Sequence, residues 1–127
     1  MSRPGTGTAR WFPPLAYTLL LFGLSSIPGT PTTDADSIRR FLLWMPPALQ
    51  NVLHVPQYAL LSWLWCRAGA TPRAAVVCSV AYAVFEETYQ VFVPGRFGSF
   101  TDLALDVVGI AVGVACFRRS GGRRPFS

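Results

Sequence analysis

Residues 74–117 read AAVVCSVAYAVFEETYQVFVPGRFGSFTDLALDVVGIAVGVACF, and this stretch decides the fold. Its first part, about 74–93, and its last, about 100–117, are each apolar over close to the roughly 20 residues that a bilayer's hydrocarbon core requires of a helix. Between them, Val93, Pro94, Gly95 and Arg96 place Pro and Gly at the second and third positions of a type II turn, so the chain is predicted to reverse there. Two antiparallel membrane helices follow. Within them stand Glu86, Glu87, Gln90, Asp102 and Asp106, polar groups that are expensive in hydrocarbon and need partners.

Upstream, Phe41 to Cys66 carries no formal charge if His54 is neutral, and Pro46 and Pro47 divide it. A short interfacial segment over 41–45 and a span over 47–66 are predicted. Pro56 inside that span removes the amide that would pair with the Val52 carbonyl, which predicts a kink near His54. Further upstream no charge occurs between Arg10 and Asp34, and 11–27 reads as a span with Pro13 and Pro14 in its first turn and Pro28, Gly29 and Pro31 ending it. A cleaved signal peptide is the rival reading of this segment, but no small-x-small cleavage site follows it directly. The expected class is all-α, a polytopic four-transmembrane-helix bundle with spans at about 11–27, 47–66, 74–93 and 100–117. A cytoplasmic tail, 1–10, precedes it, and a basic cytoplasmic tail, 118–127, follows.

Composition points the same way. The 127 residues suit one domain. They are 51% hydrophobic and 13% charged, about half the charge of an average soluble domain, with a mean hydropathy of +0.37. That content excludes a disordered chain, and three cysteines exclude a disulfide scaffold. The net charge of +5 comes from arginine alone, and the arginines punctuate apolar stretches instead of sharing a face, so no nucleic-acid partner is expected. Arg3, Arg10, Arg67, Arg73, Arg118, Arg119, Arg123 and Arg124 fall on one side of a four-span topology, and Arg39, Arg40 and Arg96 on the other. The positive-inside rule then puts both termini in the cytoplasm of a chain that lies in the cytoplasmic membrane. Cys66, Cys78 and Cys116 fall toward cytoplasmic helix ends, where thiols stay reduced and no disulfide is expected.

Orientation fixes depth. Glu86 lies about two turns, or roughly 10 Å, below the outer end of the third span. His54 lies equally deep in the second, and Asp102 and Asp106 occupy the first turns of the fourth, beside Ser25 and Ser26 at the outer end of the first. Residues three or four apart share a helical face, so Glu86, Glu87 and Gln90 form one group and Asp102, Asp106, Gly109 and Gly113 another. The two glycines make a GxxxG pair suited to close backbone approach. His54, Tyr58 and Leu61 form the matching stripe on the second span. The bland reading is a polar clamp that fixes helix packing, with Arg96 and His54 neutralising some of the acids. The sharper reading is a pocket for a ligand or a reaction.

These residues resemble the VanZ-like family of small bacterial membrane proteins, named for a teicoplanin-resistance determinant. The resemblance spans nearly the whole chain. It rests on His54 and Tyr58, on Glu87, Gln90 and Phe92 leading into Pro94, Gly95 and Arg96, and on Ser99, Asp102, Asp106, Gly109 and Gly113. The serines and Pro28 at the end of the first span also fit. The sequence departs from the family pattern at Gln50 and Asn51, where an acid and a Lys are common. It also has Asp106 for a frequent Asn, and Glu86 for a common Asp.

The resemblance implies an envelope-facing role. The expected pocket comprises His54, Tyr58, Glu86, Glu87, Gln90, Arg96, Ser99, Asp102 and Asp106, binding a lipid-linked envelope precursor or a lipoglycopeptide from within the lipid bilayer and so altering antibiotic resistance. The alternative is a membrane-embedded hydrolase or transferase. Glu87 or Glu86 would then serve as general base and His54 as acid, with Asp102 a further catalytic candidate, or the acids would hold a divalent cation. Ser25 or Ser26 with His54 as a nucleophile pair is a weaker variant, and a proton-coupled transporter or assembly factor a third class. No HExxH or GxSxG motif is present, and no cofactor or metal is expected from the spacing.

Overall fold

The computed structural model describes residues 6–26, 47–93 and 100–121, and every regular element among them is helical. A single turn, α1 (Thr6–Ala9), is followed by α2 (Phe12–Ser25), α3 (Pro47–Ala68), α4 (Pro72–Gln90) and α5 (Phe100–Arg119). The stretches 27–46 and 94–99 lie outside the described residues, and with them the predicted type II turn, Arg96 and Ser99.

Local chemistry accounts for the helix ends. In α2, Pro13 and Pro14 occupy the first turn, where no intrahelical amide is lost, and the amide of Ser26 closes the other end on the carbonyls of Phe22 and Gly23. α3 ends at Ala68 because Gly69 takes φ 116°, a conformation that a Cβ would disfavour. The Gly69 amide then donates to Cys66 and that of Ala70 to Trp65, each at 3.1 Å. Thr71 immediately starts the next helix, its hydroxyl accepting from the Ala74 amide at 3.1 Å with Pro72 in the first turn. α3 runs uninterrupted through Pro56.

Two helices differ from expectation. α4 begins at Pro72 and ends at Gln90, whereas the sequence reading placed it over 74–93; the apolar run Val91 to Val93 continues as turns held by Phe92 to Tyr89 and Val93 to Gln90 backbone bonds. α2 has 14 residues, or about 21 Å of helix, short of the roughly 30 Å hydrocarbon core. Among the described residues one helix, α5, is long and apolar enough to cross a membrane. α3 and α4 are long enough, but Gln57, His54, Glu86, Glu87 and Gln90 dilute their apolar character.

Packing centres on α3 and α5, the most extensively contacting pair. A Cβ at Gly109 would run into the backbone of Val55, and one at Gly113 into the Ala59 carbonyl and the Ser62 hydroxyl, so both glycines are what lets the two backbones touch. The Ser62 hydroxyl donates across this seam to the Ile110 carbonyl at 3.0 Å. Around the seam, Leu21, Tyr58, Leu61, Ala83 and Ile110 form one apolar cluster, and Cys66, Ala75, Val114 and Phe117 a second. Near the second cluster, Trp11 and Trp65 pack at 6.1 Å with Arg10 over Trp11 and Arg67 over Trp63. The three cysteines are free, with Cys66 buried and Cys78 and Cys116 exposed.

The distribution of polarity is inverted relative to a soluble bundle. Ser25, Ser62, Ser79, Glu86, Glu87, Gln90 and Asp106 are buried, while Leu19, Val77, Phe85 and Val108 are more than half exposed on the outside of the helices.

Candidate functional site

Consecutive residues on a helix point about 100° apart. Glu86 and Glu87 therefore face different neighbours, although both are buried. Glu86 accepts hydrogen bonds from the Ser25 hydroxyl of α2 and the Tyr58 hydroxyl of α3. Glu87 faces α3 and α5, where one of its oxygens, a His54 ring nitrogen and an Asp106 oxygen lie within 4.8 Å of one another. His54 Nδ1 is 2.6 Å from Asp106 Oδ1, with the His side chain 17% exposed and Asp106 wholly buried. The single polar level expected from the sequence is thus two adjoining sites on neighbouring faces of α4.

Aromatic rings wall the two sites. His54 and Tyr58 lie parallel, 6.5 Å between centroids, as expected for residues one turn apart. Tyr58 neighbours Tyr82 at 6.3 Å, and Tyr82 leads through Phe85 to Tyr89 and Phe22. Tyr89 shares a 3.0 Å hydrogen bond with Ser26, and Tyr17 donates to the Gln57 carbonyl at 2.9 Å, so α2 is tied to both α3 and α4 by side-chain hydroxyls.

Of the residues singled out in the sequence, the structure brings together His54, Glu87 and Asp106 in one group, and Tyr58, Glu86 and Ser25 in the other. Gln90 is buried one turn beyond Glu86. Asp102 lies one turn before Asp106 on α5 and is only partly buried. Gly109 and Gly113 lie below on the same face, in the α3 seam. Arg96 and Ser99 fall outside the described residues. The serine nucleophile reading does not survive: Ser25 is engaged by Glu86 and Ser26 by Tyr89 and the Phe22 carbonyl, so neither hydroxyl is paired with His54.

Sequence reasoning overlooked Tyr82, Tyr89 and Ser62. The signal for the tyrosines was there, since Tyr82, Glu86 and Tyr89 step by four and three along one face of α4. Ser62 stands one turn after Tyr58, on the stripe that begins at His54.

Chemically, the His54 group offers one imidazole and two carboxylates, a set able to relay a proton, bind a polar headgroup or hold a cation. The Glu86 group has its acceptor oxygens engaged by two hydroxyls, which suits it to holding α2 in place. Set against known families, residues 7–121 match a family model described as VanZ/LLP1. No curated protein and no solved structure matches the chain.

Proposed function

The chain belongs to the VanZ/LLP1 family, and from that premise we propose that it is a multi-pass protein of the bacterial cytoplasmic membrane, with both termini cytoplasmic, that contributes to glycopeptide and lipoglycopeptide resistance. Its polar site, in this reading, binds a lipid-linked envelope precursor or the drug itself in the outer leaflet. The observation that carries the reading is the inverted polarity: four carboxylate or amide side chains, Glu86, Glu87, Gln90 and Asp106, are turned inward while large apolar side chains cover the outside. Hydrocarbon is the solvent that favours this arrangement, because water would favour its reverse. The Trp and Arg cluster at one end, Trp11, Trp65, Arg10 and Arg67, also matches an interfacial belt on the cytoplasmic side.

The test is drug sensitivity in a bacterial host carrying the chain or its Glu87→Gln, Asp106→Asn or His54→Gln variants, with membrane abundance measured in parallel. Expected is loss of teicoplanin protection in at least one variant that remains as abundant as wild type. Protection that falls only in step with abundance would leave the polar clamp, and normal protection in every variant would end the pocket reading.

The 2.6 Å His54–Asp106 contact beside Glu87 favours a second reading, a membrane-embedded hydrolase or transferase on a lipid-linked substrate with Glu87 as base. Turnover of a purified lipid-linked precursor, abolished by Glu87→Gln, separates this from binding without product.

A further inference from the structure

The three ligand atoms of His54, Glu87 and Asp106 come from three different helices, α3, α4 and α5, which are remote in sequence and meet only in the folded bundle. Asp106 has no exposed surface; one of its oxygens faces His54, and the other, Oδ2, is buried with no hydrogen-bond partner among the described residues. A buried carboxylate oxygen left in this way costs free energy that a bound cation would recover. Helix bundles place metal ions in this manner, with acid and imidazole side chains projecting inward from facing helices.

We propose that His54, Glu87 and Asp106 bind one divalent first-row cation, zinc or manganese. One imidazole nitrogen and two carboxylate oxygens combine the donors that these ions accept, and they offer none of the soft sulfur that would select copper(I). Two carboxylates and one neutral imidazole also balance a double positive charge, which a site walled by Tyr58 and hydrocarbon-facing helices requires. Ligand atoms around tetrahedral zinc stand about 3.4 Å apart for bonds of roughly 2.1 Å, and this set lies within 4.8 Å. Glu86 is outside the set because its oxygens are held by Ser25 and Tyr58. The three protein ligands leave a coordination position for water or for an oxygen of a bound headgroup. This inference shares its residues with the proposed pocket but does not rest on which ligand, if any, that pocket takes.

The experiment uses the full chain purified in detergent through a histidine-free tag, since His54 is the sole histidine. Cys78→Ser and Cys116→Ser remove the exposed thiols that would capture metal adventitiously. After chelator treatment the protein is titrated with zinc, manganese, magnesium and calcium chlorides, and metal content is measured after gel filtration. Expected is one zinc or manganese per chain, a rise in thermal stability with that ion, and binding weaker in Asp106→Asn and His54→Gln by at least the roughly 10-fold that loss of even an outer-shell partner brings. Thr88→Ala, adjacent to Glu87 but exposed, retains it. Cobalt(II) absorption in the wild-type chain, lost on zinc addition, gives a readout independent of whether the variants fold. Absence of stoichiometric zinc or manganese, or binding unchanged in both ligand variants, overturns the proposal. Cation binding in a chain that gives no drug protection overturns the resistance reading alone.

Discussion

Replacing Gly113 with Ala tests the seam between α3 and α5 directly. The added Cβ meets the Ala59 carbonyl and the Ser62 hydroxyl. The carbonyl belongs to the α3 backbone and cannot swing away, so the helices must separate, an overpacking cost of about 1–3 kcal/mol. Ser62 is displaced from the Ile110 carbonyl at the same time, losing a hydrogen bond worth about 1 kcal/mol. Ala also gains about 1 kcal/mol of helix propensity over Gly. That gain is isolated by Gly23→Ala in α2, where the new Cβ meets nothing within 4 Å. The two variants should therefore differ in stability by about 2–4 kcal/mol, roughly 30- to 900-fold in the folding equilibrium. Reversible unfolding of detergent-purified protein by a denaturing surfactant, followed by tryptophan fluorescence, measures the difference, since Trp65 packs against both apolar clusters. Gly113→Ala as stable as Gly23→Ala would refute the close approach of α3 and α5.

Tyr58→Phe removes one of the two hydroxyl donors to Glu86 and should destabilise by about 1–3 kcal/mol in the same assay, with Ser25→Ala acting in the same direction. The double variant should lose less than the sum if the two donors act as a unit through Glu86. Cysteines placed at Glu87 and Asp106 should join under mild oxidation or a short bifunctional thiol reagent, whereas a pair at Glu87 and the outward-facing Val108 should not. Reporter fusions at Gly69 should be active only as cytoplasmic reporters and those after Arg96 only as external ones; the reverse pattern would invert the outer-leaflet assignment.

The sequence was most informative where chemistry and periodicity agreed. α3 was expected over 47–66 and runs Pro47–Ala68; α5 was expected over 100–117 and runs Phe100–Arg119. α4 starts ahead of the expected residue 74 because Thr71 and Pro72 carry a standard helix-start pattern, which hydropathy does not register. Its end was misplaced because Val91, Phe92 and Val93 are as apolar as the helix before them, and hydropathy carries no stop signal. In the site, depth along each helix was the ground on which the sequence grouped His54, Glu87 and Asp106 with the other polar residues. It was not enough to choose Asp106 over Asp102 as the neighbour of His54. That choice depends on how far α5 slides along α3, which the contacts of Gly109 with Val55 and Gly113 with Ala59 set. Nor does depth separate Glu86 from Glu87, since adjacent residues differ by angle and hardly at all by height.

That angle limits how the chain can change in length. Glu86 reaches Ser25 and Tyr58, and Glu87 reaches toward His54 and Asp106, only while α4 keeps its present phase. A one-residue insertion between Ser79 and Glu86 would turn both acids by about 100° and remove them from both sites together. An insertion after Gln90 would move neither. Single-residue insertions and deletions compatible with both sites thus fall beyond Gln90, outside α4, and substitution, not length, is the route by which either site can diverge from the other.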